Sequence, residues 1–212
     1  MKKTLLLLGL TLGFSVSAAN GLWTDAKDKT LPLDFQIQGE YIGELSCGCD
    51  FGAQVIALGG GQFQAVLYPG GLPGASWERG DKRSLLAGKL EGGKAVFTVA
   101  EGKRRYLAGT AGQFSATGKF PPDGHKAASA TILKGKMTGM FGKKKFELER
   151  TLRKSPTMGS KPPKGAIVLF DGTGKDEWEG GRADEKTKLL NTDGRDIKTK
   201  RNFSNYTMHV EF

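Results

Sequence analysis

The sequence is poor in the side chains that most often do chemistry. Only two cysteines and two histidines occur in 212 residues, so a closed tetrahedral zinc site, which needs about four ligands, would have to use all of them. No G-x-S-x-G nucleophile elbow is present. The glycine runs Gly59-Gly60-Gly61 and Gly70-Gly71-Leu72-Pro73-Gly74 lack the Lys-Ser/Thr ending and the following helix of a phosphate loop, and so read as turns. No stretch between residues 37 and 153 repeats apolar residues at helical spacing, and none beyond residue 19 is long and apolar enough to cross a membrane as a helix.

Residues 1–19 have the layout of a secretory signal peptide. Lys2 and Lys3 precede an apolar run over 5–12, and Val16-Ser17-Ala18-Ala19 offers small residues for cleavage. The run falls short of the roughly 20 residues of a bilayer span, so cleavage near Ala19 or Asn20 is expected, with no membrane span left in the mature chain. The expected location is periplasmic, cell-surface or secreted. Of the formal charge of +10, most lies early: residues 20–160 hold 20 basic and 13 acidic side chains, net +7, against 10 and 9 in residues 161–212. The densest clusters are Lys103-Arg104-Arg105 and Lys143-Lys144-Lys145, which can touch acidic glycans or other polyanions, or simply line solvated turns. No nucleic-acid motif accompanies them, so specific nucleic-acid binding is not expected.

With 38% hydrophobic and 25% charged residues, the composition is that of a globular chain. Short apolar stretches recur between glycine turns at 37–45, 53–58, 63–68, 84–90, 95–99, 105–108, 113–117, 130–133, 136–140 and 145–152. Several alternate with period two, as in Lys94-Ala95-Val96-Phe97-Thr98-Val99, which is the pattern of a half-buried antiparallel strand. An all-β fold follows: an antiparallel meander over residues 20–153, closed as a barrel or packed as a sandwich. Residues 154–164 then form a linker whose prolines disfavour both helix and central sheet pairing.

From Lys161 onward the sequence reads KPPKGAIVLFDGTGKDEWEGG, and later YTMHVEF. The LFDG turn at Leu169, Phe170, Asp171 and Gly172, the following Trp178, and the segment ending in Glu211 and Phe212 closely resemble the opening of the 3-keto-disaccharide hydrolase family. The resemblance extends weakly back through GAQVIALGGGQFQAVLYPGGLPG, as in members with an additional amino-terminal β domain. It implies that residues 165–212 are the first strands of a concanavalin-like β-sandwich, and that the complete domain cleaves glycosidic bonds of sugars oxidised at the 3-position. A 3-keto group acidifies the adjacent C–H, so that a base, a carboxylate or a histidine, can start elimination before water adds. Predicted strands at 166–170 and 206–212 leave the sandwich open, and a fragment of that size is expected to be catalytically silent. A non-catalytic carbohydrate-binding or cell-envelope interaction module is the alternative.

Candidate site residues come from both regions. Alternation places His209 and Glu211 on one strand face, so Glu211 is the candidate catalytic carboxylate if that face lines a sugar cleft. Asp171, Asp176, Glu177 and Glu179 surround the LFDG turn; no cofactor motif is evident, but these oxygens could serve a divalent cation in a complete domain or belong to a solvated loop. Tyr68 and Trp77, with Phe51, can form a platform for stacking a sugar ring or can be core. Cys47-Gly48-Cys49 reads as a short-range disulfide in an oxidising compartment, with free thiols or a metal site including His125 and His209 as alternatives. His125, with Asp123 and Ser129, lies in a loop and makes no triad.

Overall fold

The computed structural model describes residues 28–211. The predicted signal peptide and cleavage site lie outside the described residues, as does Phe212. The chain divides into two compact units, Met1–Leu152 and Arg153–Phe212.

The first unit is a closed antiparallel barrel of eight strands in sequential order: β1 (Gly39–Leu45), β2 (Asp50–Gly59), β3 (Gln62–Pro69), β4 (Ser84–Glu91), β5 (Lys94–Val99), β6 (Ala128–Leu133), β7 (Lys136–Phe141) and β8 (Lys144–Thr151). Closure comes from β1 pairing with β8, with Glu40 opposite Thr151 and Leu45 opposite Phe146. Tight turns suit this meander because the backbone twist of a two-residue turn with positive φ matches that of the strands it joins. Gly92 and Gly93, at φ +55° and +80°, make such a turn between β4 and β5.

Every second residue points inward, and the interior is filled. Phe51 packs against Phe141 and Phe146 with ring centroids 5.0 and 5.1 Å apart, while Phe63 meets Phe97 at 6.2 Å. Each fully buried ring of this size contributes about 1.5–3 kcal/mol relative to exposure. Room for the rings comes from inward glycines on neighbouring strands: Gly88 pairs with Phe97, and Gly139 with Phe146.

The two barrel ends differ. A single helical turn, α1 (Leu33–Ile37), closes one of them by placing Ile37 in the barrel core. It is held by the buried Tyr41 hydroxyl, which donates to the Ile37 carbonyl at 2.5 Å, and by Arg150, whose guanidinium donates to the carbonyls of Gln38 (3.0 Å) and Phe35 (3.3 Å). The other end is lined by the β1–β2 and β7–β8 turns and is open.

A second apolar layer lies outside β3 and β4, where Val66, Tyr68, Leu72, Leu85 and Ala100 pack beneath the segments 70–83 and 100–127. This corrects two of the predicted strands. Residues 105–108 and 113–117 form no strand; a single bridge joins Arg105 to Phe114. Tyr106 and Leu107 are exposed, whereas 113–117 buries Ser115 and Thr117 beside this outer layer, where the Gln64 side chain stands in for a strand partner. Its amide donates to the Phe114 carbonyl at 2.6 Å and accepts from the Ala116 N–H at 2.8 Å.

The second unit has two two-stranded ribbons: β9 (Trp178–Glu179) with β12 (Lys198–Thr199), and β10 (Arg182–Asp184) with β11 (Leu189–Asn191). The strands predicted at 166–170 and 206–212 are not formed by the described residues. Neither segment has a ladder partner, and an apolar stretch without one cannot satisfy its backbone as a strand. Between residues 153 and 211 only Gly172 is buried. The unit therefore has no hydrophobic core of its own.

Candidate functional site

The open barrel end is a concavity of about 570 Å³ with Leu45, Pro69 and Phe141 among its lining residues and Lys126, Lys143 and Lys144 among its charges. Phe141 ends β7 with its ring turned inward, and the Lys126 ammonium rests 4.3 Å from that ring's centroid, a cation–π contact. Of the Lys143-Lys144-Lys145 run, the first two line the concavity, whereas Lys145 does not. Asp50 is the single acidic residue of the lining. The mouth is thus a cationic bowl with an apolar floor, suited to an anionic group carried on a ring or chain.

Cys47 and Cys49 are disulfide-bonded in the turn between β1 and β2, on the rim of this bowl. Both are exposed, and the Lys144 ammonium lies 3.2 Å from Cys47 Sγ. The other basic cluster is partly committed to structure. Arg104 donates to the carbonyls of Glu101 (3.0 Å), Ala111 (3.3 Å) and Phe114 (3.2 Å), and its burial lowers its pKa.

Tyr68 and Trp77 are adjacent, at 5.2 Å, but they meet edge to face at 71° and Tyr68 is only 6% exposed. Phe51 lies wholly inside the barrel. The three rings therefore present no flat platform. Burial raises the Tyr68 pKa, against the opposing pull of Arg83, and its hydroxyl donates to the Gln54 side chain at 2.7 Å. His125 is a clamp: Nδ1 accepts from the Leu85 N–H at 3.2 Å, which leaves Nε2 to donate to the Ala100 carbonyl at 3.1 Å. Asp123 pairs with Lys119 instead, at 2.9 Å.

In the second unit the LFDG turn and Trp178 meet, while Glu211 bonds elsewhere, to His209 and Gly159. The Trp178 indole donates to the Leu169 carbonyl at 2.8 Å, tying β9 to the LFDG turn, and Phe170 is half-buried beside it in sequence. Asp171 accepts from the Thr173 hydroxyl (2.6 Å) and N–H (3.0 Å), which lower its pKa, while Gly172 takes the positive φ of +90° that the turn requires. The neighbouring carboxylates go to separate partners: Glu177 to Arg201 at 2.7 Å and Glu179 to Lys198 at 2.8 Å. Among the described residues no three of His, Cys, Asp and Glu gather as a metal cluster.

Glu211 Oε1 lies 2.9 Å from His209 Nε2 and accepts from the Gly159 N–H at 2.6 Å. These bonds, His209's first, hold its pKa below the usual glutamate range. A carboxylate so stabilised is a poor proton acceptor but a good anchor for an imidazole. His209 and Glu211 are neighbours here without the strand whose shared face was predicted to carry them; the bond to Gly159 in the linker, fifty-two residues away in sequence, had no signal. No family model, curated protein or solved structure matches the chain.

Proposed function

We propose that the protein is an exported carbohydrate-active chain in which residues 165–212 open a 3-keto-glycoside hydrolase sandwich and the barrel is its accessory domain. The observation that carries this reading is the His209–Glu211 pair, 2.9 Å apart, on the segment that resembles the family. Glu211 orients the imidazole, and the opposite ring nitrogen is the base that removes the proton beside the 3-keto group, starting elimination of the glycosidic oxygen. Exposed apolar side chains at Ile167, Val168, Leu189 and Val210 are the surface that further sandwich strands would bury. The disulfide suits an oxidising compartment.

The test is release of the two sugars from a 3-keto disaccharide, measured for residues 20–212 alone and for the same residues continued by the remaining sandwich strands of a family member. Release is expected only from the continued chain, with a loss of about 100-fold or more in His209→Ala. Turnover by residues 20–212 alone, or full turnover in His209→Ala, overturns the reading.

The lysine-lined barrel mouth favours a second reading, in which the barrel binds an acidic polysaccharide and breaks no bond. Salt-sensitive retention on an acidic-glycan column supports it, and retention unaffected by salt removes it.

A further inference from the structure

The disulfide does little that the fold does not already do. Its turn is shaped by backbone bonds: the Leu45 N–H donates to the Cys49 carbonyl at 2.9 Å, Gly48 N–H to the Leu45 carbonyl at 2.9 Å, and Ser46 N–H to the Lys145 carbonyl at 2.8 Å. Gly48, at φ +71°, supplies the left-handed residue. A bridge spanning a sequence separation of 2 also removes less chain entropy from the unfolded state than one closing a longer loop. A structural role accounts poorly for it. Its surroundings suit reactivity better, because both sulfurs are reachable by solvent and the two are electrostatically unlike. Cys47 has the Lys144 ammonium at 3.2 Å, and Cys49 is followed directly by Asp50.

We infer that Cys47–Cys49 is a thiol–disulfide exchange site for external dithiols, with Lys144 as the catalytic cation that makes Cys47 the leaving sulfur. A thiolate of the external dithiol attacks Cys49 Sγ. The Cys47–Cys49 bond breaks as the new sulfur–sulfur bond forms, and its electron pair departs on Cys47 as a thiolate beside the Lys144 ammonium. The second thiolate of the dithiol then attacks its own sulfur in the mixed disulfide and releases Cys49. The dithiol is oxidised by two electrons, and its two protons end on Cys47 and Cys49. In reverse, Cys47 is the nucleophile and Cys49 resolves the mixed disulfide. The lysines around the bowl would draw acidic dithiol substrates towards it.

The experiment follows reduction of the full chain by dithiothreitol at neutral pH, trapping free thiols with iodoacetamide and counting them by mass. Complete reduction is expected with the thermal melt of the barrel retained. Lys144→Gln is expected to slow it about threefold, the size of one exposed ion pair, and to move alkylation of reduced Cys47 to higher pH. Lys144→Arg should restore both, and Lys89→Gln, on β4 at the opposite barrel end, should change neither. Reduction that occurs only on unfolding overturns the proposal. So do equal rates and alkylation profiles in the wild type and Lys144→Gln, since the ammonium would then not stabilise the Cys47 thiolate as it leaves.

Discussion

Gly139 on β7 faces Phe146 on β8 across the ladder, and the Phe146 ring takes the space that a β-carbon at 139 would need, with its Cζ 2.8 Å from that position. The same point would also collide with the Ser129 carbonyl. Backbone cannot step aside cheaply here. Gly139→Ala should therefore destabilise the barrel by about 1–3 kcal/mol, the usual range for overpacking. Gly109, which has nothing within 4 Å of its β-carbon position, is the matched control, and Gly109→Ala should stay within about 0.5 kcal/mol. Urea denaturation of the three proteins checks both values.

Gln64 is buried and satisfies two backbone groups of the 100–127 segment. Gln64→Leu keeps most of the volume but orphans both groups, at a cost of about 1–3 kcal/mol each if they stay buried. The segment is expected to loosen before the barrel melts. Hydrogen exchange at Ala116 should accelerate strongly while amides of β5 keep their protection.

Tyr41 has no exposed surface, and burial pushes its pKa up to about 12 from 10.0. Between those values the folded chain binds the proton that the unfolded chain has lost. Stability from this group is complete below pH 10 and falls as pH rises towards 12, by at most about 1.4 kcal/mol per pH unit. Denaturation midpoints measured across that window should decline less steeply in Tyr41→Phe, and that variant should lack a late-ionising component in the phenolate absorbance.

Replacing Lys126, Lys143 and Lys144 together with Gln tests the cationic bowl as a glycan contact. Three exposed pairings at about 0.5 kcal/mol each amount to roughly a tenfold loss of affinity for an acidic polysaccharide, with a flatter salt dependence. The same change at Lys103 and Arg105 should have the smaller effect, because the Arg104 between them is occupied by three carbonyls.

Much of the barrel was legible in the sequence because a hairpin meander is specified locally. Glycine turns and period-two alternation sit side by side along the chain, and all eight barrel strands fall within or beside the predicted stretches. Closure was not legible: whether β1 meets β8 or the strands split into two sheets depends on a pairing more than a hundred residues apart, as with Tyr41 and Arg150. The stretch at 113–117 misled for a physical reason, since burying alternate residues of a segment against a wall produces the same pattern as a ladder, whereas at 105–108 Tyr106 and Leu107 are exposed. Tyr68 and Trp77 were similarly ambiguous until the covering segments were placed. At the mouth, the Lys143-Lys144 run was visible, but Lys126 comes from a different turn and only the barrel brings it alongside. The second unit was the least legible, because apolar residues at 166–170 predict a strand only where something pairs with them.

Since Glu40 on β1 stands opposite Thr151 on β8, the polypeptide enters and leaves the barrel side by side at the end plugged by α1. A module whose entrance and exit adjoin can be spliced into a surface loop of a host without stretching either strand of the junction. Joining the two by a short peptide and opening a hairpin elsewhere would yield a permuted barrel with the same wiring of rings and glycines inside.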